Sequence, residues 1–467
     1  MPVPRRALRH GQRDRPDDRF RPGRRHPGAG RAGRAGQSRL PAVAGAGPPQ
    51  RGRQRRAGTD AGRVSQGGAV DPGAALARAG RGCRRPGPRG GAMSGGLRCI
   101  RELMDRAVAE KIFPGGVVRV EQEGRVVHES AHGRLSLRPP RGPVAPDTVF
   151  DLASLTKVLC TASICMRHFQ AGRLDLEAPV RSMLPEFSGR GRERVTVRML
   201  LEHSSGLAAW RAYYQEIAAA GRGALLAPAR ARRMLQCMLL AEAPEAEPGS
   251  RALYSDLNFL LLQLILERTS RRPLDRIFRD EVAGPLGIAD LFFVPRSRAG
   301  ARSRAGRTFA ATEDCPWRRR TLVGEVHDDN AWIMGGVAGH AGLFGTGAGV
   351  AALAREWIRG WRGERALFAR ETVRRFFARS RVAGSTRALG FDTPSEQGSQ
   401  AGSRMPRTAV GHLGFTGTSM WLSPERALCV VLLTNRVHPS RENEQIKKFR
   451  PALHDAILEE LYGESAT

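Results

Sequence analysis

The chain has 467 residues, and 76 lysines and arginines against 45 aspartates and glutamates give a formal net charge of +31. Seven cysteines at irregular spacing (Cys83, Cys99, Cys160, Cys165, Cys237, Cys315, Cys429) show neither C-x-x-C metal pairing nor a disulfide framework. No run of about 18 apolar residues is present to span a bilayer as a helix.

The charge is uneven. Residues 1–92 hold 22 arginines, no lysine and five aspartates, set among glycine, proline, alanine and glutamine. Nothing there repeats at apolar spacing to offset the entropy of ordering, so 1–92 is expected to be disordered. An arginine-rich arm invites a nucleic-acid reading, but lysine is absent and there is almost no aromatic side chain for base stacking. The preferred expectation is translated upstream sequence with Met93 as the natural start, and nucleic acid is not an expected partner. Arg5-Arg6 is followed by no apolar segment and 42–47 is too short for a signal core, so the expected location is cytoplasmic. Residues 93–467 hold nearly all the large apolar side chains and are expected to form one enzyme-sized domain.

Within that domain, apolar spacing predicts a helix over 97–112 and two short strands, 117–122 and 125–129, around Glu123-Gly124. Asp151 leads into a helix carrying Ser154, and amphipathic helices follow from 155 to about 281. Strand-like segments recur at 411–414, 419–422 and 427–435, before a closing helix over 446–462. The first and last strands must share a sheet if their apolar faces are to be buried. The middle is then left as a helical subdomain.

Ser154-Leu-Thr-Lys157 puts a hydroxyl and an amine on one helical face. Only four lysines (Lys111, Lys157, Lys447, Lys448) stand among the 76 basic residues. A desolvated lysine can take a proton from a hydroxyl, which arginine cannot. Downstream come Tyr254-Ser255-Asp256, opening an apolar run, and Gly411-His412-Leu-Gly414-Phe415 before the strand at 419–422. In this order the motifs resemble the β-lactamase and penicillin-binding-protein superfamily, whose pattern is S-x-x-K, S-D-N, K-T-G. The match is closest to the branch of class C β-lactamases, D-aminopeptidases and esterases, with Y-x-N second and K-T-G or H-x-G third. Residues 172–180, 199–207, 284–288 and 335–344 also look like landmarks of that family.

The resemblance implies an α/β (α+β) fold: an antiparallel sheet of N- and C-terminal strands flanked by helices, with an inserted α-rich subdomain. It implies a serine hydrolase working through an acyl-enzyme, with neither metal nor cofactor, on an ester, amide or β-lactam. Esterase-like activity is favoured over β-lactamase or D-amino-acid peptidase activity. A catalytically silent binding protein of the same fold, with the basic tail as a nucleic-acid-binding arm, is the remaining alternative. Ser154 would be the nucleophile, Lys157 and Tyr254 the candidate bases, and the N–H groups of Ser154 and Phe415 the oxyanion hole. Gly414 is expected to let substrate approach the strand.

Two departures matter. Asp256 stands where the pattern has Asn, and a carboxylate near Lys157 would favour the charged ammonium and shift base duty toward Tyr254. His412 replaces the K-T-G lysine, and a neutral imidazole would hold a substrate carboxylate weakly, which favours uncharged esters or amides. Two other clusters have blander expectations: 327–330 with His340 as a structural turn rather than a metal site, and His203-Ser-Ser-Gly206 as a helix-ending turn with hydroxyls on backbone.

Overall fold

The computed structural model describes residues 97–463, so the expectations for 1–92 and for Met93 lie outside the described residues. The strands are β1 (Gly115–Gln122), β2 (Arg125–Leu137), β3 (Pro140–Pro143), β4 (Phe150–Asp151), β5 (Leu291–Phe293), β6 (Ala311–Cys315), β7 (Arg320–Val323), β8 (Leu343–Gly345), β9 (Val410–Leu413), β10 (Ser419–Ser423) and β11 (Leu428–Thr434). The helices that frame the site are α1 (Arg98–Ala109), α2 (Ser163–Gln170), α3 (Asp256–Ser270), α4 (Gly347–Arg362) and α5 (Ile446–Tyr462).

The main sheet runs β3-β2-β1-β11-β10-β9 and is antiparallel throughout. Its first and last strands in sequence therefore share one sheet, as their apolar faces require. Successive side chains of β11 go to opposite faces. Leu428, Val430 and Leu432 join Ile100, Met104, Phe449 and Leu453 of α1 and α5. Cys429, Val431 and Leu433 join the core on the α4 side. Covering both faces turns the usual half-buried alternation into a continuous apolar run. Glu123 and Gly124, both at positive φ, close the β1–β2 hairpin with a two-residue turn.

Strand β2 reaches Leu137, eight residues beyond the expected end at 129. Ser130, Ala131 and His132 pair with β1 yet show no apolar alternation from which a strand could be read. In sequence, the helical subdomain lies between the N-terminal and C-terminal strands of this sheet. At its centre, α3 is buried nearly all round through Phe259, Leu260, Leu261, Leu262, Ile265 and Leu266. A small sheet, β4-β8-β5, lies outside the main sheet and delivers the chain to Ser154. No helix among the described residues is long and apolar enough to cross a membrane.

Candidate active site

The Ser154 turn is built from β4. Asp151 is buried, and its carboxylate accepts from Ala153 N–H at 2.9 Å and His327 N–H at 2.6 Å. Ala153 is held at φ +46°, a strained conformation for a residue with a Cβ. Leu155, Thr156 and Lys157 each donate to the carbonyl three residues back at 3.0 Å, a tight first turn. The helix then widens into a π turn over Lys157–Ala162 before α2. Such turns recur at functional sites because they re-aim side chains.

Lys157 is fully buried. Its ammonium donates to Ser154 Oγ at 3.0 Å and His340 O at 3.2 Å, and pairs with Asp256 Oδ1 at 2.7 Å. It stands 4.8 Å from the Tyr254 ring centroid. Burial works to lower its pKa, but Asp256 and then Tyr254 outweigh burial and the net direction is up. The Tyr254 hydroxyl, within hydrogen-bonding reach of Lys157 and Ser154, is pushed up by burial against the pull of Lys157. Asp256 begins α3, where the free N–H groups favour a carboxylate.

The Tyr254 ring is packed between His203, 4.7 Å away, and His412, 5.9 Å away, with the Arg387 guanidinium 5.2 Å from its centroid. Burial first, and then the charges of Lys157 and Arg387, hold His412 well below the ordinary histidine range. His412 Nδ1 lies 2.8 Å from Leu413 O. A carbonyl only accepts, so Nδ1 carries the proton and Nε2 is left as an acceptor. Nε2 has no partner among the described residues. The neutral imidazole expected from the sequence is thus also pointed the wrong way to donate to a carboxylate.

The loop between β9 and β10 faces the Ser154 turn. Thr416 Oγ1 donates to Asp151 O at 2.7 Å and Thr418 Oγ1 to Leu152 O at 3.1 Å, tying the two together. Neither Ser154 N–H nor Phe415 N–H has an acceptor among the described residues. A Cβ at Gly414 would sit 1.9 Å from Thr418 Oγ1 and 2.6 Å from Leu152 O, so the glycine is also required by the packing of this protein's own loop, a reason that sequence alone did not offer. The Phe415 ring is half exposed and stacks on His327 at 5.7 Å.

Ser154, Lys157, Tyr254, Asp256, His412, Gly414 and Phe415 are therefore brought to one place. Sequence reasoning missed His203, Arg387, Thr416, Thr418 and the role of His340, whose carbonyl seats Lys157. Of the cluster at 327–330, Asp328 meets His340 Nε2 at 3.0 Å, and ligand atoms of both lie within 4.8 Å of Asp256. Lys157 already supplies the positive charge against Asp256, while His327 pairs with Glu313 and Asp329 with Arg318. At the other cluster, Ser205 Oγ accepts from Leu207 N–H, but the Ser204 and Ser205 hydroxyls donate to the Glu202 and Asn258 side chains.

A protein-family model described as Beta-lactamase matches residues 98–452. The chain belongs to the beta-lactamase family. A curated relative, N-acetylmuramyl-L-alanine amidase of Bacillus subtilis (strain 168), is 30% identical over 368 residues, 73% of this chain and 81% of that one. A protein of Escherichia coli (strain K12), named as a proposed D-alanyl-D-alanine carboxypeptidase, is 28% identical over 363 residues, 72% and 82% of the two chains. Among solved structures, EstCE1, a hydrolase with promiscuous acyltransferase activity, aligns with TM-score 0.61 at 22% identity over 78% of this chain and 98% of that one. The octameric penicillin-binding protein homologue from Pyrococcus abyssi aligns with TM-score 0.60 at 20% identity, over 79% and 77%. This beta-lactamase family member has the family's fold and is a serine hydrolase of ester or amide bonds.

Proposed function

We propose that Ser154 is acylated by a substrate ester or amide and that the acyl-enzyme is then hydrolysed, with small uncharged esters as the preferred substrates. The observation that carries this reading is the contact of Lys157 Nζ with Ser154 Oγ at 3.0 Å, together with the Ser154 and Phe415 N–H groups that have no acceptor among the described residues. The Ser154 hydroxyl adds to the carbonyl carbon and its proton passes to the Lys157–Tyr254 pair. The developing oxyanion is taken by Ser154 N–H and Phe415 N–H. The pair returns the proton to the leaving group, and water repeats the sequence on the acyl-enzyme. Because Asp256 holds Lys157 as an ammonium, the base form is scarce at neutral pH, and turnover depends on loss of that proton.

The preference for uncharged substrates is supported by His412, neutral and an acceptor. Arg387 favours a second reading, a peptidase of substrates ending in a carboxylate, since it places a permanent cation beside Tyr254. Its charge is opposed by Asp392 at 3.5 Å, which weakens that reading. A cytoplasmic location is supported by Cys160, Cys165, Cys237, Cys315 and Cys429, which form no disulfide among the described residues. Residues 93–467 with a fluorophosphonate probe, p-nitrophenyl esters, nitrocefin and D-alanyl-D-alanine peptides test the assignment. Probe labelling of Ser154 with ester turnover above nitrocefin and peptide is expected, and absence of labelling overturns it.

A further inference from the structure

Arg450, on α5, is 5% exposed and has no carboxylate partner among the described residues. Burying an unpaired guanidinium is costly, so its hydrogen bonds must matter to what surrounds it. Nη2 donates to Gly414 O at 3.1 Å and Thr418 O at 2.8 Å. Burial first, and then the charge of Arg436, pull its pKa down to about 9, which still leaves a cation at neutral pH.

The position of Gly414 O is the informative part. That carbonyl and Phe415 N–H belong to one planar peptide unit, so a cation on the oxygen fixes the plane and draws electron density from the nitrogen. Phe415 O is bonded in turn by Arg436 Nε at 2.8 Å. Arg436 is 6% exposed, and its other bonds also go to carbonyls, of Arg441 and Asn443. Two buried guanidiniums thus grip the carbonyls on either side of the Phe415 N–H.

We infer that Arg450 is a positioning residue for the reaction, orienting and polarising the Gly414–Phe415 peptide so that Phe415 N–H is a preorganised donor to the oxyanion, with Arg436 as its partner in the clamp. This rests on the assignment of Phe415 N–H to the oxyanion hole. The donor is stronger where negative charge develops on the substrate oxygen than on the neutral carbonyl, so the effect falls on the chemical step. The two arginines also add positive potential behind the peptide without touching substrate.

The test compares Arg450→Lys and Arg450→Met with wild type on p-nitrophenyl acetate and on a boronic acid that forms a tetrahedral adduct with the nucleophile. Removing an oxyanion donor outright costs about 100-fold or more in kcat. Weakening one should cost Arg450→Met about tenfold in kcat, with KM within about twofold, and the boronic acid affinity should fall in parallel. Arg450→Lys keeps the charge and should recover part of the loss. Wild-type kcat in both variants, a change in KM alone, or failure of both to fold overturns the proposal in favour of a purely structural arginine. Fluorophosphonate labelling of wild type but not of Ser154→Ala is the separate control. If it fails, the acyl-enzyme reading has failed and not the clamp alone.

Discussion

Lys157 and Asp256 form a 2.7 Å ion pair in which the lysine side chain is completely buried. An asparagine at 256 would keep a hydrogen-bonding oxygen and remove the charge that holds the ammonium in place. Asp256→Asn should therefore lower the Lys157 pKa, and the neutral amine should appear at lower pH. The rising limb of the kcat/KM profile should move toward acid by about one unit or more. Stopped assays on p-nitrophenyl acetate, corrected for spontaneous hydrolysis, measure it. An unmoved midpoint would show that the limb reports a different group.

Ser154→Ala should abolish fluorophosphonate labelling and ester turnover while leaving the melting curve in place, since only a part-exposed hydroxyl is lost. Mass spectrometry of the labelled protein decides it, and a labelled mutant would remove Ser154 as nucleophile.

Thr418→Val deletes the hydroxyl that bonds Leu152 O while roughly keeping the volume. Leu152 O keeps its bond from Leu155 N–H, so losing the second partner should cost about 0.5–1.5 kcal/mol in urea unfolding. Because the bond ties the β9–β10 loop to the Ser154 turn, kcat should fall as well. Lost stability with full activity would show that the two halves of the site hold together without this tie.

His412→Lys would place an amine among Lys157 and Arg387, whose charges already depress the imidazole. Burial and repulsion should hold the new amine partly neutral at pH 8, so any improvement in nitrocefin turnover relative to p-nitrophenyl acetate should grow as pH falls and the cation forms. The ratio measured at pH 6, 7 and 8 tests this. A gain independent of pH means position 412 does not sense those charges.

The candidate nucleophile and bases could be read from sequence because Ser154, Lys157 and Tyr254 lie in short motifs whose spacing already states a geometry. The closing helix over 446–462 was equally legible from the spacing of its apolar residues, and the strand around 430 from its short continuous apolar run. His203, Arg387 and the His340 carbonyl were not. Each comes from a separate segment, and its meaning lies in a contact with Tyr254 or Lys157 that no local pattern encodes. The π turn after Lys157 was hidden for another reason: an apolar helix fits residues 157–162 as readily as a widened one. Arg450 carried least signal of all, as one arginine among dozens.

Gly115 N–H donates to the Asn435 side chain at 2.9 Å across 320 positions of sequence, and β1 finds its partner in β11, close to the far end of the domain. During synthesis the β1–β2 hairpin therefore waits with one edge of β1 open until almost everything else has been made. An open, apolar edge is the feature by which chains associate wrongly. The cell must protect that hairpin for most of the time the ribosome spends on the domain, and depletion of chaperones should lower the yield of folded protein before it affects shorter proteins of local topology.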